Sequence, residues 1–123
     1  MAQLPPRVKK GSEGDAVKGL QNALNERASQ GVAVDGHFGP ATENAVKGFQ
    51  QAASLAVDGI AGPATWGALN VYVVQRGDSL SKIAQQNFGD PDRWTDIYNV
   101  NQALISDPDK ITPGWVLTLP IYE

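Results

Sequence analysis

The side chains able to perform acid, base or metal chemistry in this 123-residue chain are few: there is one histidine, His37, and no cysteine. A nucleophilic triad would have to be assembled around His37 inside a glycine-rich turn, which is a poor platform for one. A lone imidazole without thiolates is equally poor as a zinc site. Asp35 and Asp58 stand in matching VDG segments and look like paired ligands. Each heads an Asp-Gly turn, however, and calcium would demand more oxygens, so both are read as turn formers. Glycoside cleavage needs two carboxyl groups in a deep cleft, one with a raised pKa. The acids here fall in turns and helix caps. No catalytic residue, metal or cofactor is assigned, and the expectation is a protein that is not an enzyme.

The aromatic residues could instead bind. Phe38 reads as core, and so does Trp94, which lies on an apolar stripe with Ile97, Tyr98 and Asn101. Trp66 stays open between core and groove contact. Trp115, after Pro113 and Gly114 at a turn, is the best candidate for an exposed aromatic that stacks on a sugar or anchors a protein neighbour.

The elements that would position these residues follow from an internal repeat. VDGHFGPATENAV begins at Val34 and VDGIAGPATWGAL at Val57. The matched residues are mostly Asp, Gly, Pro and Thr, which specify backbone shape: a tight Asp-Gly turn, a second glycine (Gly39, Gly62) at an unusual dihedral, then Pro40 or Pro63 in the first turn of a helix. Val17, Leu20, Leu24 and Ala28 form one helical stripe, and Ala45, Val46, Phe49 and Ala53 another. Ser12 with Asp15 is expected to make a capping box, and Gly31 to end the first helix. Residues 7–69 therefore read as a three-helix unit with a short last helix.

Beyond Asn70 the period changes. VYVVQ and VLTLP read as strands, with Leu117 and Leu119 on one face. Between them Leu80, Ile83, Ala84 and Phe88 mark one helix, and the Trp94 stripe a second. Residues 71–121 thus read as a βααβ unit whose two strands pair antiparallel with both helices on one face. The fold class is α+β. The junction at Leu69, Asn70 and Val71 is not rich in Gly, Pro or Ser, so the units are expected to abut.

With 41% hydrophobic and 19% charged residues and a formal net charge of −3, the chain has the composition of a soluble globular protein. The excess acid lies in the second half, so neither half offers the basic field that nucleic acid or an anionic membrane requires. No stretch approaches the roughly 20 apolar residues of a membrane span. MAQLPPRVKKGSEGD has no apolar h-region, so no signal peptide is expected and synthesis is placed in the cytoplasm.

The repeat VDGxxGPAT, with LQNAL and GFQ before it, resembles the peptidoglycan-binding domain 1 family. YVVQRGDSLSKIA and ITPGWVLTLP resemble the opening and closing of a LysM domain. The resemblance implies a non-catalytic, tandem cell-wall binder whose partner is peptidoglycan, through its N-acetylglucosamine-containing glycan strands, with the stem peptide as a further candidate contact. Carried over by position, it implies one groove wall at Gly77, Asp78, Ser79 and Leu80 and a second at Gln102, Ala103, Leu104 and Ile105, with Trp66 and Trp115 as further contacts. Either Asp78 or Ser79 also suits the N-cap of the following helix. Leu80 suits core as well as groove, and Leu104 and Ile105 could pack beneath their loop.

The segment NFGDPDRWTDIYNVNQALISDPDKI is longer than in minimal LysM units, and Trp115 stands where many have a polar residue. This longer form resembles LysM units of phage tails and contractile injection systems. The alternative it implies is a baseplate or tail adaptor that acts in a virion or injection particle among protein neighbours.

Overall fold

Helix α1 (Asp15–Ala28) forms because Val17, Leu20 and Leu24 recur at helical spacing, but it is buried on more than that stripe. Gly19, Gln21, Asn22 and Ala23 are buried too, which makes α1 the central rod of the molecule. In the computed structural model, which describes residues 4–28 and 31–121, α1 is followed by α2 (Pro40–Ala52) and α3 (Pro63–Leu69). Then come strand β1 (Val71–Val73), α4 (Leu80–Phe88), a 3-10 turn at Pro91–Arg93, α5 (Trp94–Asn99) and β2 (Val116–Thr118).

Two expectations need correction, one about the repeat and one about the start of α1. The left-handed backbone falls at the first glycine of each copy, Gly36 (φ +78°) and Gly59 (φ +75°). Gly39 and Gly62 are instead helix N-caps with extended backbone (φ −107° and −106°), and Pro40 and Pro63 occupy the first helical turn. Each aspartate curls the chain itself: Asp35 Oδ1 accepts from His37 N, and Asp58 Oδ1 from Ile60 N, both at 2.9 Å. Nor does Ser12 cap α1. Its Oγ accepts from Lys9 N and its carbonyl from Phe38 N, so it ties the N-terminal segment to the first repeat, while Gly14 O accepts the first helical bond, from Lys18 N.

A buried glutamine locks each turn from inside. Gln21 Oε1 accepts from the amides of Asp35 and Gly36, and its Nε2 reaches Asp35 Oδ1, His37 O and Thr42 Oγ1. Gln50 repeats the pattern on the amides of Asp58 and Gly59 and on Asp58 Oδ1, Ile60 O and Thr65 Oγ1. A buried amide is tolerated when every donor and acceptor is used, as here.

The strands pair antiparallel in the register Val71 with Thr118, Tyr72 with Leu117 and Val73 with Val116. Leu117 and Leu119 face a core with Leu80, Ile83, Ala84, Ile97 and Ile105, so α4 and α5 lie on that face. All three residues of β2 are buried because the other face is covered as well. Val73 and Val116 belong to the same core as Val17, Leu20, Leu24 and Trp66. A two-stranded sheet is marginal alone, and α1 supplies its second layer.

The contact is tight and polar at its centre. A β-carbon on Gly19 would lie 2.5 Å from the Val116 carbonyl oxygen, so only glycine allows the approach. One turn on, Asn22 Nδ2 shares its two hydrogens among Val100 O, Asn101 Oδ1 and Thr118 Oγ1, at 2.9 to 3.0 Å. Asn101, fully buried, also donates to Ile97 O and Thr118 O and accepts from Thr118 N. Arg27 donates to the carbonyls of Leu69 and Leu119, and burial holds its guanidinium below its ordinary pKa. Asn70, in left-handed conformation (φ 59°), turns the chain from α3 into β1. The halves abut, as the junction composition suggested.

Candidate functional site

A groove of about 350 Å³ opens beside the start of α4, within the size range of small-ligand sites. Its lining is Asp78, Ser79, Leu80 and Ser81 on one side and Pro108, Asp109 and Ile111 on the other, with Trp94 between. Of the residues proposed from sequence, Asp78, Ser79 and Leu80 meet there, and Gly77 lies next to them in chain order with φ +85°.

Capping at this turn is divided between two side chains. Ser79 caps α4, its Oγ accepting from Lys82 N at 3.2 Å and lying 3.2 Å from Ser81 Oγ. Asp78 instead closes the turn from below, Oδ2 accepting from Gln75 N at 2.7 Å and from the Tyr72 hydroxyl at 2.6 Å. Burial, aided by this carboxylate, pushes the Tyr72 pKa up to about 12. Leu80 is buried, so its contribution to the groove is a floor.

Residues 102–105 do not line this groove. After α5 the chain continues in a turn in which Leu104 N and Ile105 N both donate to Asn101 O. Because the Asn101 side chain is bound to β2, this turn is drawn inward and Ile105 becomes core, 1% exposed. Gln102 and Ala103 stay exposed outside the groove, with Gln102 Nε2 on Asn99 Oδ1. Leu104 goes elsewhere: with Trp115, Val116, Asp15 and Lys18 it lines a crevice of about 50 Å³ at the junction of the halves. The groove's second wall comes from the next turn, where Asp107 Oδ1 accepts from Asp109 N.

The tryptophans also redistribute. Trp66 is 1% exposed, packs in the first core and donates Nε1 to Pro6 O, so its ring is not a surface contact. Trp94, expected in the core, is half-buried and lines the groove, because it opens α5 at the edge of the second core. Trp115, expected to be exposed, is half-buried against that core and in the crevice. Phe38 is core.

Sequence reasoning missed Ser81, Trp94, Pro108, Asp109 and Ile111. The signal for Pro108 and Asp109 was present in the DPDK stretch, a turn former placed late in a long loop. In the first half, a smaller cleft of about 140 Å³ is lined by Arg7, Gln50, Asp58 and residues around Pro63. His37 is exposed, its Nδ1 2.9 Å from Glu13 Oε1, and takes no part in either hollow. Among the described residues no three His, Asp or Glu side chains gather as metal ligands, and no helix is long and apolar enough to cross a membrane.

Residues 13–69 match the family model described as a putative peptidoglycan binding domain, and residues 72–120 match the LysM domain. The chain joins a peptidoglycan-binding-type domain to a LysM domain. The potassium binding protein Kbp of Escherichia coli is 42% identical over 53 residues, which are 43% of this chain and 36% of that protein. Against its curated relatives the chain spans 19% to 56% of their length. A peptidoglycan-binding protein from Clostridioides difficile, solved with glutamine hydroxamate, is 42% identical with a TM-score of 0.50, over 52% of this chain and 40% of that one. A periplasmic domain of the EpsAB fusion protein of the Vibrio vulnificus type II secretion system shares the fold over 94% of this chain and 45% of its own, with 22% identity and a TM-score of 0.52.

Proposed function

We propose that this chain binds bacterial peptidoglycan without cleaving it. The LysM groove takes amino-sugar units of the glycan, and the first domain adds a second contact. The observation that carries this reading is the groove itself: Trp94 lines the hollow at the start of α4 together with Ser79, Ser81, Asp78 and Asp109. Sugars bind in this way, with a C–H face against an aromatic and hydroxyls on fixed acceptors. The matches to a peptidoglycan-binding family and to LysM support the ligand class. Since α1 packs against the LysM sheet, the two contacts would be held in one fixed relation, and the second would form at high effective concentration.

Sedimentation with purified insoluble peptidoglycan tests this. The intact chain is expected to pellet well above a control protein of similar charge, and Trp94→Ala to pellet less. An intact chain that stays in the supernatant like the control removes the reading. A clearing zone from the pure protein in a cell-wall zymogram would overturn its non-catalytic part.

The long turn-rich segment from Val100 to Trp115 favours a second reading, an adaptor in a phage tail or injection baseplate. Recovery of the chain in purified tail-like particles, with no pelleting on bare peptidoglycan, is the outcome that would select it.

A further inference from the structure

The far wall of the LysM groove is carried on a stretch whose described hydrogen bonds are local. Pro108, Asp109 and Ile111 line it, and Asp109 N and Lys110 N both donate to Asp107. Its place opposite α4 is set by the anchors on either side. On the later side, Gly114 N donates to Val74 O and Trp115 O accepts from Val74 N, which joins the chain to the sheet of its own domain. On the earlier side, Asn101 O accepts from Leu104 N and Ile105 N, both at 2.9 Å, and Ile105 is core.

The earlier anchor is tied to the other domain. Asn22 of α1, 4% exposed, donates from Nδ2 to Val100 O at 2.9 Å and to Asn101 Oδ1 at 3.0 Å. Among the described hydrogen bonds, Asn22 is the one donor to Val100 O. Val100 caps the end of α5, so a shift there is carried into the turn that follows. A part-buried carbonyl that loses its donor is costly, and the backbone moves to find another partner. We infer that Asn22 is a positioning residue for the glycan groove: a side chain of the first domain places the far wall in the second by fixing Val100 and Asn101. This rests on the wall-binding reading and adds that the groove is completed from outside its own domain.

Asn22→Ala in the full chain tests this through two readouts. In the ligand-free protein the amide signals of residues 100–111 should move, while those of the turn at residues 78–81 stay in place. On titration with a β-1,4-linked N-acetylglucosamine tetramer, affinity should fall roughly threefold to tenfold, within the range that coupling through packed side chains covers. Val46→Ala supplies the comparison. It opens a void in the first core from α2, and should lower the thermal midpoint while leaving affinity within about twofold of the parent. Both variants are titrated at a temperature where circular dichroism shows each to be fully folded. If Asn22→Ala does not fold, Asn22→Ser takes its place: its hydroxyl is too short to span the gap, and the same shifts and loss are expected.

Amide signals of residues 107–111 that stay in place, or an affinity unchanged from the parent, would overturn the positioning role and leave Asn22 as a bond between domains alone. An equal loss in Val46→Ala would overturn it too, since general loosening would then account for the effect. A parent that does not bind the tetramer bears on the wall-binding reading, which sedimentation decides separately. The ligand-free shifts then decide alone whether Asn22 places the wall.

Discussion

Gly19 of α1 lies so close to Val116 of β2 across the boundary between the two domains that there is no room for a β-carbon. Mid-helix glycine ordinarily costs about 1 kcal/mol relative to alanine. Here the cost is offset by what the approach permits: Val73 and Val116 enter the first core, and Asn22 reaches Asn101 and Thr118.

Gly19→Ala should therefore be destabilising although alanine is the better helix former. The new methyl would meet the Val116 carbonyl oxygen and Cβ at 2.5 and 2.6 Å, and overpacking of this kind costs roughly 1–3 kcal/mol. Thermal denaturation should show the midpoint falling by several degrees, with amide signals from both domains lost in the same transition. A variant as stable as the parent would mean that the domains separate freely.

Acid should weaken the first domain through its two turns. The backbone N–H of His37 and then the Gln21 amide hold the Asp35 carboxyl below its usual pKa, and the N–H of Ile60 and then Gln50 do the same for Asp58. A lowered native pKa contributes stability that is present above the unfolded value, near 4, and is lost as pH falls through the native one. Urea midpoints measured from neutral pH downward should hold steady and then drop below about pH 4. In the Asp35→Asn, Asp58→Asn double variant the acid limb should be shallower.

Two loop substitutions should separate the groove from the crevice. Trp94→Ala removes a half-buried ring from the groove lining and should weaken glycan binding while the fold persists. Leu104→Asp places a charge beside Trp115 and Asp15, away from the groove. It should cost stability, roughly 1–2 kcal/mol for a half-buried site, with glycan affinity within about twofold of the parent. Reversal of these two phenotypes in a parallel titration and melt would place the sugar at the crevice.

Much of the architecture was legible because it is written in local signals. The repeated Asp-Gly and Gly-Pro steps mark turn and helix start, and the change from helical to alternating period at Val71 marks the sheet. Asn22 and Gly19 were not legible, since a polar residue and a glycine inside a helix have meaning only once β2 is placed against them. The same gap displaced the second groove wall. Nothing local announces that Asn101 is bonded to β2 and draws Ile105 inward, leaving residues 108–111 to face α4. Trp94 and Trp115, expected in the core and at the surface, are both half-buried against the second core.

Arg27 grips the carbonyl of Leu69, where the chain enters the LysM domain, and that of Leu119, where it leaves. Both ends of the second domain are thus fastened to one side chain of the first. The covalent bond at Asn70 is then only one of several attachments between the two, and a cut there should leave a nicked protein whose fragments stay together until denaturant parts them.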